Sequence, residues 1–280
     1  MTQLILVEGI PGSGKTSAAQ FIAGWLTARG FENALYLEGD WAHPADFESV
    51  ACLDWAEYQQ IKTQFSDQVE FLDQQVTVDD GNYFFSYRQI EHENEDQVPQ
   101  SLIEALARYE IYELPIEKFK QLLKARWQAF ASRAAQEEHI FIFECCFLQN
   151  PLTMCLGRNA ETIESSQDFV LEIAERIRNL DPCLVYLNPG DVETTLQRVA
   201  QTRPPEWLDF VIAYHTQQGY GKVQGWQGFE GLVKFYDMRQ QIELGLLARL
   251  PFPVLAVEHT GWDQDYAQIE EFLGGHLITF

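Results

Sequence analysis

The stretch Gly9-Ile10-Pro11-Gly12-Ser13-Gly14-Lys15-Thr16 constrains this chain more than any other. It fits the spacing GxxxxGK[ST] and follows a short apolar run, Leu4-Ile5-Leu6-Val7. After it, Ala18, Phe21, Ile22, Trp25 and Leu26 recur at helical spacing up to a stop at Gly30. Strand, glycine-rich turn and helix, in that order, form the context in which such a turn cradles phosphate. The glycines let the chain curl so that successive backbone N–H groups converge, and the helix N-terminus adds about half a positive charge. Lys15 then serves as a point charge for the β- and γ-phosphates, and the Thr16 hydroxyl as a ligand of Mg²⁺. ATP with Mg²⁺ is the expected nucleotide and metal, held by Gly9, Pro11, Gly12, Ser13, Gly14, Lys15 and Thr16.

Further strand signals lie at Ala34–Leu37, His139–Phe143, Cys183–Leu187 and Pro253–Val257, with helical patterns between most of them. The expected fold is α/β: a three-layer sandwich of about five parallel strands with helices on both faces. Ligands then gather at the carboxyl ends of the strands, where Gly9, Asp40, Glu144 and His259 fall. Roughly 100 residues separate the second strand from the third, far more than a crossover needs. We read the chain as a single domain over residues 1–280, with a mainly helical, substrate-binding insertion at 42–137. In that insertion Asp54 and Glu57 resemble a capping box, ahead of the apolar stripe Trp55, Tyr58, Ile61, Phe65, Val69 and Leu72. Val76–Val78 and Tyr83–Phe85 flank a turn at Asp80-Gly81, which predicts a hairpin. The acidic run Glu91–Asp96 reads as a solvated loop.

Charge narrows the partners. The 280 residues carry 19 Lys and Arg against 42 Asp and Glu, a formal charge of −23 that repels a nucleic-acid backbone. Residues Met1–Glu8 lack a basic leader, and no window approaches the roughly 18 apolar residues of a membrane span. The expectation is a soluble cytoplasmic protein without nucleic-acid or membrane partners. Five cysteines, at 52, 145, 146, 155 and 183, show no CxxC or zinc spacing and read as reduced core residues.

With GIPGSGKT in place, the chain resembles the P-loop kinase superfamily, which includes nucleoside and nucleotide kinases and adenylylsulfate kinase. Cys183-Leu184-Val185-Tyr186-Leu187, followed by Asp191 to Arg198, is similar to the fourth strand and lid-entry helix of such kinases. The resemblance implies a lid over residues 198–235, with Arg198 and Arg203 above the nucleotide. It also implies a carboxylate after the second strand that contacts the acceptor hydroxyl, here Asp40, and an acid after the third strand that holds Mg²⁺ through water or contacts the substrate, here Glu144. Thr260 and Gly261 fall where family members line the adenine site. The chain departs from nucleoside kinases in placing Cys145-Cys146, not arginine, after Glu144.

Each candidate also has a plainer use: Asp40 as a turn cap near Pro44, Glu144 as a buried strand-end acid, the arginines as surface charge. Trp41, His43, Tyr83, Tyr87 and Arg88 are candidates for an acceptor pocket. The expected activity is transfer of the γ-phosphoryl of ATP to a hydroxyl or phosphate of a small molecule. Lys15, Asp40, Arg198 and Arg203 would be the catalytic groups. A nucleotide-dependent regulatory or interaction ATPase is the alternative.

Overall fold

The computed structural model describes residues 3–95, 97–258 and 261–277. Its strands are β1 (Leu4–Glu8), β2 (Asn33–Tyr36), β3 (Val50–Leu53), β4 (Thr77–Asp79), β5 (Asn82–Ser86), β6 (Ile140–Glu144), β7 (Cys183–Asn188) and β8 (Val254–Glu258). The chain divides into two compact units, one made of Met1–Glu38 with Lys124–Phe280, the other of Gly39–Leu123.

The first unit is built on a parallel sheet in the order β2-β6-β1-β7-β8. Its central strand, LILVE, is buried along its whole length, as a parallel strand covered on both faces must be. Ile5 and Val7 face one layer, packing with Ala18, Ala19, Ile22 and Leu26 of the helix Lys15–Ala28 and Ile269 and Leu273 of Trp262–Leu277. The other face carries an aromatic cluster. Trp127 lies edge-on to Phe143 and Phe147, and Phe130 to Phe141, with ring centroids 5.1–6.1 Å apart. This is the expected three-layer arrangement.

The second unit has its own core around an antiparallel sheet in the order β3-β5-β4. The hairpin joins β4 to β5 through Asp80 (φ 44°) and Gly81 (φ 76°), two successive left-handed residues of the kind a tight hairpin turn needs. Asp54 and Glu57 form a full capping box on the helix Trp55–Gln64.

Three details depart from the sequence pattern. Strand β3 was not foreseen. The apolar stripe is divided between two helices, Trp55–Gln64 and Val69–Gln75, where Ser66 and Asp67 offer the backbone local alternatives to helix; Trp55, at its start, is 60% exposed. The acidic run begins inside a helix, Tyr87–Glu93, and Glu91 pairs with Arg88 at 2.7 Å.

Phe85 is fully buried in β5 and packs against Tyr58. Phe85→Ala is expected to cost about 3–5 kcal/mol of stability, read by urea unfolding; a loss below about 1 kcal/mol would contradict this core.

Candidate active site

The phosphate loop turns on glycines in the left-handed half of backbone space, Gly9 (φ 145°), Gly12 (φ 82°) and Gly14 (φ 97°). Packing adds a second requirement. A Cβ on Gly12 would lie 2.1 Å from Val199 Cγ2, and one on Gly14 2.2 Å from the Trp262 ring. Gly14 precedes the helix Lys15–Ala28, so loop amides and helix N-terminus converge. Ser13 is buried there, and its Oγ has no hydrogen-bond partner among the described residues. An orphan hydroxyl of this kind costs about 1–3 kcal/mol.

Lys15 is buried, and its Nζ donates to the Ile10 carbonyl and to Gln149 Oε1, each at 3.3 Å. Both bonds are long enough for a phosphate oxygen to replace either. Thr16 Oγ1 donates to Glu144 Oε1 at 2.7 Å, and Glu144 Oε2 accepts the Glu38 backbone N–H at 3.4 Å. A hydroxyl and a carboxylate side by side are hard oxygen donors of the kind Mg²⁺ takes, its other positions going to water and phosphate.

Directly after Glu144, Cys145 adopts φ 59°, a conformation that residues with a side chain seldom take. The chain thereby reverses, and the amides of Phe147 and Gln149 donate to the Glu8 carboxylate at 2.7 and 3.1 Å. Glu8 is wholly buried. Burial, aided by the charge of Glu243 and opposed by the backbone bonds, pushes its carboxyl up to about 7. The same reversal places Gln149 as a bridge: Oε1 accepts from Lys15, and Nε2 donates to Glu38 Oε1 at 3.0 Å.

A cavity of about 680 Å³ lies within the first unit. Pro11, Gly12, Gly14, Lys15 and Thr16 of the phosphate loop contribute, as do Glu38, Glu144 and Gln149. Trp207, Phe210 and Tyr214 come from the helix Pro205–Thr216, and Tyr236 and Arg239 from Gly228–Leu247. Arg203, the residue that ends the helix Val192–Thr202, also lines it, and Arg198 Nη2 donates to the Gly12 carbonyl at 3.0 Å.

The remaining expected residues are placed differently. Asp40 belongs to the second unit, and its Oδ1 accepts the Ala42 N–H at 2.9 Å, the turn-capping use. Trp41, His43, Tyr83, Tyr87 and Arg88 lie in that unit too, with Tyr83 stacked on Tyr58 and Trp41 beside His92. Gly261 (φ 148°) precedes the helix Trp262–Leu277, whereas His259 and Thr260 lie outside the described residues. Sequence reasoning missed Glu8, Glu38, Gln149 and Arg239. The one available signal was Gln149-Asn150, a polar pair inside an otherwise apolar run from Cys145 to Leu152.

No protein-family model matches the chain, and no curated protein sequence matches it. Among solved structures it is similar to thymidylate kinase from Candida albicans, at 14% sequence identity and a TM-score of 0.45, over 98% of this chain and 92% of that one.

The Glu8 carboxyl makes stability depend on pH. Its folded value, about 7, lies above the ordinary carboxyl value of 4.5, so the folded state binds the proton more tightly. The contribution is complete below about pH 4.5 and is lost as pH rises through about 7. We expect stability to fall over that window by about 3 kcal/mol more in the wild type than in Glu8→Gln, measured as unfolding free energy against pH. Parallel curves for the two proteins would refute the assignment.

Proposed function

We propose that this chain is an ATP-dependent kinase that moves the γ-phosphoryl group onto a hydroxyl or phosphate of a small molecule held in the first unit's cavity. One observation carries this reading: a phosphate loop and a paired Thr16–Glu144 oxygen site share a single cavity of about 680 Å³. That volume lies within the range of small-molecule sites, about 300–1,000 Å³.

The geometry supports the following roles. The amides of Gly12 to Thr16, the Ser13 hydroxyl and Lys15 hold the phosphates, with Gly9 and Pro11 shaping the turn. Thr16 and Glu144 hold Mg²⁺, which when bound neutralises charge on the β- and γ-phosphate oxygens. Arg203, and Arg198 beside the Gly12 carbonyl, spread the charge that develops on the transferring group. Gly261 belongs with the base-binding end of the site.

We assign the acceptor-orienting carboxylate to Glu38, with Asp40 closing the turn that follows it. Glu38 lies on the cavity wall, held by Gln149 through one oxygen. A carboxylate so placed can align an acceptor hydroxyl and take its proton late in a loose transition state.

Calorimetry with MgATP and an acceptor screen with labelled ATP test these roles. Lys15→Ala is expected to weaken ATP binding at least tenfold, about 1.4 kcal/mol. On the acceptor so found, Glu38→Gln is expected to lower kcat by about 100-fold or more, and Asp40→Asn by less than about threefold. Absence of ATP uptake would sink the nucleotide reading. ATP consumption without a phosphorylated product would point to a regulatory ATPase instead, and the reverse order of the two carboxylate variants would return the acceptor role to Asp40.

A further inference from the structure

Arg239 is an unusual residue for a cavity wall. It sits in the middle of the helix Gly228–Leu247 at 1% exposure, yet it lines the same cavity as Lys15 and Thr16. Its Nε stands 2.9 Å from Glu243 Oε1 but off the line that a hydrogen bond requires. The second Glu243 oxygen accepts from Tyr186 Oη at 2.7 Å. Nη1 makes one long bond, 3.3 Å, to Thr153 Oγ1. Nη2 is buried and has no hydrogen-bond partner among the described residues.

A guanidinium present only to neutralise Glu243 would engage it in a two-pronged fork, the geometry that best satisfies both groups. Here the carboxylate lies beside Nε, while the Nη2 donors have no hydrogen-bond partner among the described residues. The surroundings hold that group in place. The Tyr236 ring lies 4.9 Å from the guanidinium carbon, and Thr153 begins a π-helical turn, Thr153–Arg158, a rare geometry that recurs at functional sites. His215, bonded to Tyr236 Oη at 3.1 Å, adds no competing cation, because burial first and then Arg239 hold its proton affinity down to about 3.

We propose that Arg239, steadied by Thr153, is a second oxyanion-binding subsite in the cavity, so that the phosphoryl acceptor carries a phosphate or carboxylate group besides its accepting oxygen. This assignment rests on the kinase reading. It narrows the acceptor to anionic small molecules and explains why a buried cation stands in a wall otherwise lined by the aromatic residues Trp207, Phe210 and Tyr214.

The test uses the full chain with inorganic phosphate as probe. MgADP is first bound to saturation, so that the phosphate loop is filled, and phosphate uptake is then followed by equilibrium dialysis. One equivalent of phosphate is expected. The double variant R239M/E243Q, which removes both charges together, should weaken that uptake tenfold or more while leaving MgADP affinity within about twofold. Thr153→Val, which deletes only the hydroxyl, should weaken it severalfold and decides the matter if the double variant does not fold.

Phosphate uptake that is absent with MgADP bound, or unchanged in these variants, overturns the subsite and leaves the kinase reading standing. Failure of MgADP itself to bind overturns the kinase reading. In that case phosphate uptake by Lys15→Ala without nucleotide decides the subsite alone: uptake sensitive to Thr153→Val supports it, and no uptake overturns it. Competition by acetate would show that the subsite takes oxyanions generally, whereas indifference to acetate would show that it takes phosphates.

Discussion

Register between β1 and its two neighbours sets the positions of the groups around the cavity. Val7 lies opposite Glu144 on one side, and Glu8 opposite Tyr186 on the other. Because side chains alternate along a strand, a slip of one residue would turn Glu144 away from Thr16 and Glu8 away from the returning loop. Burial enforces the register: Leu4, Ile5, Leu6 and Val7 are all fully inaccessible, so every alternative exposes apolar surface or buries a charge without a partner. Thr16 in the first turn of the following helix then reaches Glu144 at 2.7 Å. The oxygen pair suited to a divalent cation is therefore a consequence of strand pairing, joined to the loop through a single turn of helix.

Electrostatics around that frame run against the molecule's overall sign. A chain with a formal charge of −23 attracts a polyphosphate only through local positive potential, and the cavity concentrates it. Lys15 and Arg239 are buried, which strengthens their fields by removing water, while Arg203 and Arg198 remain exposed. The nearby acids are engaged: Glu144 by Thr16, Glu38 by Gln149, and Glu243 by Tyr186. Burial favours the protonated form of Glu8 up to about pH 7.

How much of this the sequence discloses depends on range. The phosphate loop, the four strands named beside β1, the capping box at Asp54 and the hairpin turn at Asp80-Gly81 are local: each is set by residues within a few positions of one another, and each was legible. The cavity wall is different. Lys15 meets Gln149 across 134 positions, Thr16 meets Glu144 across 128, and Gln149 meets Glu38 across 111. No periodicity records such pairs. Glu38 and Asp40 are two residues apart in one turn, and only the division of the chain between them shows that Glu38 belongs with the phosphate loop's unit. Arg239 and Glu243 read in sequence as an ordinary i,i+4 surface pair, and burial alone gives them another meaning. Strand β3 escaped because Val50–Leu53 is only four residues long and carries no alternation.

The glycines of the loop connect these levels. Their left-handed φ values explain why the turn forms, but not why the helix Val192–Thr202 follows it so closely. With no room for a Cβ, Gly12 packs directly under Val199, and the Gly12 carbonyl accepts from Arg198 on the same helix. Gly14 packs under Trp262, at the start of the helix that follows β8. The phosphate loop is therefore clasped from two sides by elements far away in sequence. Any displacement of the helix bearing Arg198 must open the Gly12 contact, break its carbonyl bond, or carry the loop with it. Since interiors pack densely, the loop and the arginine-bearing helix are coupled through these contacts.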